Sequence, residues 1–186
     1  MRIFGIDPGS ERTGYGCLET DGRCHRLIAC GSLSAPATAT FPERLLEIHA
    51  GLAALLADHR PDLVAIENIF HAKNVRSALK LGHARGVALL AASQAGVPVA
   101  EYAPAEIKRA VVGFGRAEKQ QVGQMVRLLL GLEHVPSPHD VADALAVAIC
   151  HIHSSGPIPL PAAAHRSVKG EGGLQSKLTS WRAYRP

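Results

Sequence analysis

Arg2-Ile3-Phe4-Gly5-Ile6-Asp7-Pro8-Gly9-Ser10 is the stretch of the chain that decides the fold. Its bulky and β-branched residues predict a β-strand, and Pro8-Gly9 stops that strand directly after Asp7. Asp7 is therefore expected at the C-terminal tip of a strand, where an open α/β sheet keeps its ligand crevice. A carboxylate held there is partly desolvated, which is unfavourable unless it binds a cation or a hydrogen-bond donor. Asp7 could instead cap the turn through its own side chain, and the other acids of the chain decide between these two interpretations.

The composition is that of one domain with a basic balance. A chain of 186 residues with 47% hydrophobic content can bury one substantial core. Lysine and arginine number 20 against 16 acidic residues, and the pI is about 9.0, which favours an anionic partner such as nucleic acid. The four cysteines show neither a CxxC pair nor zinc-site spacing, so they predict reduced thiols. Without a signal-peptide pattern or an apolar run of membrane-spanning length, the sequence predicts a soluble cytoplasmic protein with no membrane partner.

The segments after Asp7 predict a mixed sheet. Strands are expected at 13–19 and 25–31, joined by the turn Asp21-Gly22, and with the first strand they form an antiparallel meander. The apolar run 63–67 and the segment 97–102 predict two more strands, whose pairing is parallel because a helix connects them. Apolar residues at helical spacing predict helices over 42–59, 77–94, 104–111, 117–130 and 137–153. The fold class is therefore α/β, with three antiparallel strands followed by two parallel ones.

Three further acids are candidates to lie beside Asp7 in one site. Glu67 ends the strand 63–67, so it is the second acid at a strand tip. The last helix is expected to begin with Ser137 as N-cap, Pro138 at the first helical position and Asp140 at the third, in a capping box. Asp143 lies beyond the reach of that cap. Asp140 and Asp143 are one helical turn apart and repel each other, and a divalent cation would remove that repulsion.

These acids predict hydrolysis of a phosphodiester bond. Carboxylates without a histidine or cysteine cluster suit Mg²⁺, for which Mn²⁺ can substitute. Four of them can hold two ions about 4 Å apart, which prepare a water nucleophile and stabilise the charge of an in-line attack on phosphorus. His139 could relay a proton, although a histidine in the first turn of a helix is more often a solvated surface residue.

At these residues the chain resembles the RuvC family of Holliday junction resolvases. The resemblance runs through five motifs in order: Gly-Ile-Asp-Pro-Gly-Ser with Thr-Gly-Tyr-Gly, Ala-Ile-Glu with Phe70 and Ala72-Lys73-Asn74, the segments 77–82 and 84–88, Val111-Val112-Gly113 with Ala117-Glu118-Lys119, and Asp140-Val-Ala-Asp143-Ala-Leu-Ala. It implies a ribonuclease-H-like fold with helices on both faces of the sheet. It also implies a homodimer that nicks a four-way DNA junction at two symmetric positions during recombination and repair, with the RuvA–RuvB branch-migration complex as a partner. The family's catalytic acids match Asp7, Glu67, Asp140 and Asp143.

Several side chains are candidates for contact with DNA. The cations stand before and after the fifth strand, and each alone could be a solvated charge. They are Lys73, Arg76, Lys80, Lys108, Arg109, Arg116 and Lys119. The resemblance implies that Lys108 and Lys119 are important for catalysis. Phe70 could be a core side chain, but the resemblance implies a wedge that unstacks bases at the cut.

The domain organisation and the alternatives follow from the same residues. Residues 1–154 are expected to form the nuclease domain, and 155–186 a basic tail rich in proline and glycine. A non-catalytic junction-binding protein and a general nuclease of the same fold remain alternatives. An actin-like ATPase or sugar kinase shares the Ile-Asp-x-Gly opening, but it needs a duplicated domain that 186 residues cannot supply. The helix over 77–94, which carries Gly82 and Gly86, is expected to form the dimer contact.

Overall fold

The computed structural model describes residues 1–68 and 74–155, which form one five-stranded sheet flanked by helices. The order across the sheet is β3-β2-β1-β4-β5. Strand β1 pairs antiparallel with β2, and β2 pairs antiparallel with β3, whereas β4 pairs parallel with both β1 and β5. The strands are β1 Arg2–Asp7, β2 Thr13–Thr20, β3 His25–Leu33, β4 Leu63–Glu67 and β5 Val99–Tyr102. The predicted mixed sheet is confirmed.

The helices fall close to the predicted ranges, with one correction at the last helix. They are α1 Phe41–His59, α2 Val75–Gln94, α3 Pro104–Val112, α4 Lys119–Leu129 and α5 His139–Ser154. The predicted capping box of α5 is wrong. Helix α5 begins at His139 because Pro138 has an extended backbone with ψ 173°, and Pro138 stands in the N-cap position without a side-chain cap bond. Asp140 is consequently free of a capping role.

The two faces of the sheet bury separate apolar clusters, as expected for helices on both sides. Helices α1 and α2 cover one face, where Phe4 and Ile6 of β1 are fully buried. Helices α3, α4 and α5 cover the other, where Ile3 is fully buried. Since side chains alternate along a strand, Gly5 and Asp7 point to the same face as Ile3. Asp7 therefore faces α5.

Glycines in β1 and β2 let α5 approach the sheet at backbone distance. A methyl group at Gly5 would clash with the Ala144 carbonyl oxygen, and one at Gly14 would clash with that of Asp140. From Val141 to Ile152 all but one side chain of α5 are buried, because the helix lies between the sheet and the pair α3 and α4. The exception is Asp143, which is one of the candidate acids.

The described ranges contain no helix that is both long enough and apolar enough to cross a membrane. Of the predicted tail, only Ser155 falls among the described residues, so the predicted domain boundary stays a prediction.

Candidate active site

Strand register brings two of the candidate acids side by side. Ile6 of β1 pairs with Ile66 of β4 in the parallel ladder, so Asp7 and Glu67 are the next residues at the adjacent strand tips. The last ladder partners of these acids are Gly14 on β2 and Tyr102 on β5. Both acids therefore end the two central strands of the sheet and project from the face that α5 covers.

The third acid comes from α5. Asp143 lines a cavity of about 90 Å³ together with Asp7 and Glu67. The remaining lining residues come from the start of α3 and from α4 and α5: Pro104, Ile107, Lys108, Lys119, Val122 and Ala146. Three separate segments of the chain thus place carboxylates in one small enclosed space.

The cavity is electrostatically unfavourable for its acids. Burial away from water, followed by the negative charges of Glu67 and Asp143, raises the pKa of Asp7 to about 8. Burial also raises the pKa of Glu67, while a hydrogen bond with Asp7 and the charges of the two cavity lysines act in the opposite direction. Both strand-tip acids are therefore harder to ionise than ordinary carboxylates. A group of acids that resists ionisation is typical of a functional site.

Two lysines supply positive charge to the cavity. Lys119 Nζ donates a hydrogen bond to Asp143 Oδ2 over 2.9 Å, and this ion pair raises the pKa of Lys119. The Asp143 side chain is 19% exposed, so the pair lies at the cavity mouth with the lysine reaching in from solvent. Lys108 projects into the same cavity from α3. Both lysines implied by the resemblance thus lie beside the acids.

Asp140 does not line the cavity of the other three acids, although its charge also contributes to the raised pKa of Asp7. It lines a neighbouring open cavity of about 470 Å³ together with residues 9–12 of the turn after β1. In this turn Arg12 Nε lies 3.9 Å from Asp140 Oδ2. The turn is closed by Thr13, whose hydroxyl donates to the Gly9 carbonyl oxygen. Each acid of the α5 pair therefore faces a different cation.

Sequence reasoning missed Arg12. Its chain position offered a signal, since it is a cation in the turn that directly follows a predicted ligand-binding strand tip. The sequence did not reveal its role because its partner, Asp140, lies far away in the chain. The packing of Gly14 against the Asp140 backbone creates that contact.

The other predicted DNA-binding residues lie at varying distances from the acids. Arg76 and Lys80 are exposed on α2, where Lys80 Nζ lies 5.7 Å from the centre of the Phe41 ring. Arg109 lines a different cavity, beside Tyr102 and His153. Arg116 is exposed in the segment between α3 and α4, and His139 is exposed at the start of α5. Phe70 and Lys73 fall outside the described residues.

The donor set fits a hard divalent cation. The cavity offers carboxylate oxygens and neither a thiolate nor an imidazole, which suits Mg²⁺ or Mn²⁺. Within residues 1–68 and 74–155, no group of three or more histidine, cysteine, aspartate or glutamate side chains is arranged to hold a metal ion. In this structure Asp143 is paired with Lys119. Burial and the neighbouring carboxylates raise the pKa of Asp7, and a divalent ion bound there would favour its ionised form.

A larger cavity elsewhere does not compete as a catalytic site. It measures about 720 Å³ and lies between the C-terminal ends of α1 and α2, at the end of the sheet opposite to Asp7. Its lining is mainly alanine, leucine, proline and glycine, with Asp62 as its one acid. The smaller cavity is the candidate site because it contains the acids with raised pKa values, Asp7 and Glu67.

Comparisons with known proteins agree with this fold. The family model for crossover junction endodeoxyribonuclease RuvC matches residues 3–151. A protein of that name from Halorhodospira halophila is 57% identical over 162 residues, which are 87% of this chain and 95% of that protein. The structure of Thermus thermophilus RuvC has a TM-score of 0.77 at 38% identity, covering 83% of this chain and 95% of that one. A structure of T. thermophilus RuvC in complex with a Holliday junction substrate has a TM-score of 0.76 at 36% identity, with the same coverage. The chain therefore belongs to the RuvC family of crossover junction endodeoxyribonucleases.

Proposed function

We propose that this protein resolves four-way DNA junctions by hydrolysing one phosphodiester bond in each of two symmetric strands. The observation that carries the proposal is the buried cavity that joins Asp7, Glu67 and Asp143 and is bounded by Lys108 and Lys119. Acids that resist ionisation need a cation, and the lysines provide positive charge at the mouth where a phosphate would enter. A relative of the same family has been solved with a Holliday junction substrate, which supports a junction as the DNA that is cut.

The acids would hold divalent metal, on which nucleases of this family depend. We infer Mg²⁺, with two ions in each site and with Mn²⁺ as a substitute. Asp7, Glu67 and Asp143 are placed to bind from the cavity, and Asp140 from its neighbouring position once it leaves Arg12. When bound, such ions supply a water nucleophile near neutral pH and stabilise negative charge on the phosphate.

The chain's own residues position the reaction. The register of β1 and β4 fixes the backbones of Asp7 and Glu67, so these acids do not have to be ordered when DNA arrives. Lys119 is held by Asp143 and is expected to transfer to the phosphate when metal takes that acid. Lys108 is expected to contact the same phosphate from the opposite helix.

A homodimer would provide the two cuts. One stripe of α2 leaves Val75, Leu79 and Leu90 exposed by 77%, 60% and 50%. Gly82 and Gly86 lie on the same stripe, since all five positions fall within about 80° of one another at 100° per residue. A methyl group at either glycine would meet open space, so a second helix can approach closely. A two-fold dimer presents two sites to a two-fold substrate. We also infer that it acts in the cytoplasm and with the RuvA–RuvB branch-migration complex.

The test is cleavage of a synthetic four-way junction and of the matching linear duplex on denaturing gels, with Mg²⁺, Mn²⁺ or a chelator. The unsubstituted protein is compared with Asp7→Asn and with a matched control, Asp58→Asn, which changes an exposed acid on α1. We expect metal-dependent, symmetric nicks in the junction alone, lost in Asp7→Asn and kept in Asp58→Asn.

Other results would select another function. Equal cutting of junction and duplex would identify a general nuclease. Junction binding that is independent of metal and leaves every strand intact would identify a non-catalytic binder. Full cutting by Asp7→Asn would place the chemistry outside the acidic cavity.

A further inference from the structure

Phe114 is an aromatic side chain that the protein leaves in water. It is 48% exposed, whereas Phe4, another of the chain's four phenylalanines, is fully buried. Burying a phenylalanine side chain contributes roughly 1.5–3 kcal/mol, and half of this surface is not used in the described fold. A single exposed apolar side chain is ordinary, so exposure alone assigns no role. The backbone around Phe114 adds the second observation.

The loop that carries Phe114 is fixed on both sides of this residue. Gly113 ends α3 with φ 93° and donates its N–H to the Arg109 carbonyl oxygen. Gly115 lies against the first turn of α3, where a methyl group would stand 3.2 Å from the Ala105 carbonyl oxygen. Ala117 is anchored in the core with 1% exposure. Phe114 is therefore held outward by a loop whose neighbouring residues are held inward.

This loop connects α3 and α4, two of the helices that line the acidic cavity. Ala105, which Gly115 touches, follows Pro104, and Pro104 lines the cavity. Lys119 begins α4 only five residues after Phe114, and its Nζ is bonded to Asp143. The loop thus starts and ends on the two helices that supply the cavity's lysines.

The surface around Phe114 is basic. Arg109, Arg116 and Lys119 are all exposed within five residues of it. One acid, Glu118, is also exposed within five residues of Phe114, so three cations stand against one carboxylate. Glu106 lies further away and accepts a hydrogen bond from the Ala103 N–H. An exposed aromatic ring among cations is suited to a nucleic-acid strand, because bases stack on the ring while phosphates bind the cations.

This inference rests on the proposed function, and it names a contact that the function does not require. We propose that Phe114 stacks on an exposed base of the DNA strand whose phosphate enters the acidic cavity, and that Arg116 binds a neighbouring phosphate. Such stacking tolerates any base, since every base has an aromatic face. Phe114 is accordingly a DNA-binding residue that acts on junction affinity and does not touch the reacting atoms.

The experiment places a fluorescent reporter at residue 114. In a Trp181→Phe background, which removes the chain's one tryptophan, Phe114→Trp is titrated with a four-way junction in the presence of chelator. The matched control is Leu128→Trp, which changes a side chain that is 61% exposed near the end of α4. We expect the junction to quench the reporter at 114, as base stacking does, and to leave the reporter at 128 unchanged.

Binding is measured in parallel for Phe114→Ala, Phe114→Tyr and Leu128→Ala. Loss of one stacked base weakens binding by about 5- to 150-fold, so Phe114→Ala is expected in that range. Phe114→Tyr is expected to keep the unsubstituted affinity because it keeps the ring. Circular dichroism checks that each variant folds, which an exposed position favours.

Two results would overturn the contact. Equal quenching at 114 and 128, or none at 114, would show that no base stacks there. Equal affinities of Phe114→Ala and the unsubstituted protein would do the same. In each of these cases the unsubstituted protein still binds the junction, so the proposed function stands. If the unsubstituted protein does not bind a junction, the proposed function fails together with this contact.

Discussion

Asp7 is a half-buried acid whose ionisation the metal-free protein opposes. Its pKa is raised to about 8, so between about pH 4 and 8 the folded state binds more protons than the unfolded chain. Stability of the metal-free protein therefore falls as pH rises through that window. We expect Asp7→Asn to raise the free energy of unfolding by at least about 1 kcal/mol at pH 8 in chelator, or roughly 3 °C in Tm. Thermal unfolding from pH 5 to 8 measures this.

The same experiment has a control at an exposed acid. Asp58→Asn removes an equal charge from α1 and is expected to change stability by less than about 0.5 kcal/mol at every pH. Identical pH profiles for the unsubstituted protein and Asp7→Asn would show that Asp7 ionises normally.

Arg12 is the cation that faces Asp140, and its removal should act on metal and DNA in opposite directions. Its Nε lies 3.9 Å from Asp140 Oδ2 on a partly exposed surface, where such a pair contributes about 0.2–1 kcal/mol. Arg12→Gln makes the site more negative, so we expect Mn²⁺ to bind up to about fivefold more tightly. We expect junction binding in chelator to weaken. Paramagnetic resonance of Mn²⁺ and gel-shift titration measure the two affinities.

Arg23→Gln is the matched control for Arg12→Gln. Arg23 is an exposed arginine in the turn between β2 and β3, at the end of the sheet away from Asp7. The same change of net charge should leave Mn²⁺ affinity unaltered there. Weaker Mn²⁺ binding by Arg12→Gln would contradict the placement of Arg12 against a metal-binding acid.

At the scale of the element, the contact between β1 and α5 positions half of the candidate acids. A methyl group at Gly5 would meet the Ala144 carbonyl oxygen, one residue beyond Asp143, so Gly5→Ala must push α5 outward. We expect a loss of roughly 1–3 kcal/mol of stability, as for other overpacked cores, together with loss of junction cutting. Chemical denaturation and the cleavage assay measure the two effects.

Gly96→Ala is the control that distinguishes loss of stability from loss of junction cutting. Gly96 has φ 67° and lies in open space after α2, so alanine there costs about 1–2 kcal/mol of backbone strain without a clash. Stability should fall in this variant while cutting persists. Parallel loss of cutting in both variants would mean that stability alone explains the effect of Gly5→Ala.

Helix α2 is the second element with a prediction of its own. Its stripe of exposed apolar residues and glycines is our candidate dimer face. Gly82→Asp places a charge in the middle of that stripe, and we expect a monomer by light scattering at micromolar concentration. Leu128→Asp, on α4, should leave the dimer intact. If the Gly82→Asp protein is still a dimer, the dimer interface does not lie on this stripe of α2.

The sequence predicted each element because its local signals agreed with its environment. Strand β4 is an apolar run because both of its faces are buried. Helix α1 has apolar residues at helical spacing because only one of its faces is buried. The start of α5 failed because Ser137-Pro138 carries a strong local signal for a cap, and the extended backbone of Pro138 overrides it. The acids were found because Asp7 and Glu67 end their strands, a local property. The sequence did not predict that Asp140 lines a different cavity, because its position depends on packing between β2 and α5.

For the whole molecule, the net charge is distributed unevenly along the chain. Residues 156–186 contain five of the basic side chains and one acid, so residues 1–155 carry as many acidic as basic side chains. We expect a protein ending at residue 155 to keep its Tm and its cutting, but to bind junctions with a shallower salt dependence. The slope of log affinity against log salt should shrink by about 1 to 4, at about 0.9 per phosphate contact.

Gel-shift titration from 50 to 300 mM salt measures this slope. The matched control is the full chain with Arg166, Lys169, Lys177, Arg182 and Arg185 changed to glutamine, which should reproduce the shallower slope. An unchanged slope in both proteins would assign all phosphate contacts to residues 1–155. Loss of the thermal transition on truncation would contradict the predicted domain boundary.

The central place of α5 in the fold has a consequence for the time at which the protein becomes active. Helix α5 completes the core beneath the sheet and carries Asp140 and Asp143, yet it is the last described helix to leave the ribosome. At roughly 5–20 residues per second, a growing chain reaches Glu67 several seconds before it reaches Asp143. During that interval it has neither the buried environment nor the full acid set. A growing chain is therefore expected to lack cutting activity until α5 has been synthesised and has packed against the sheet.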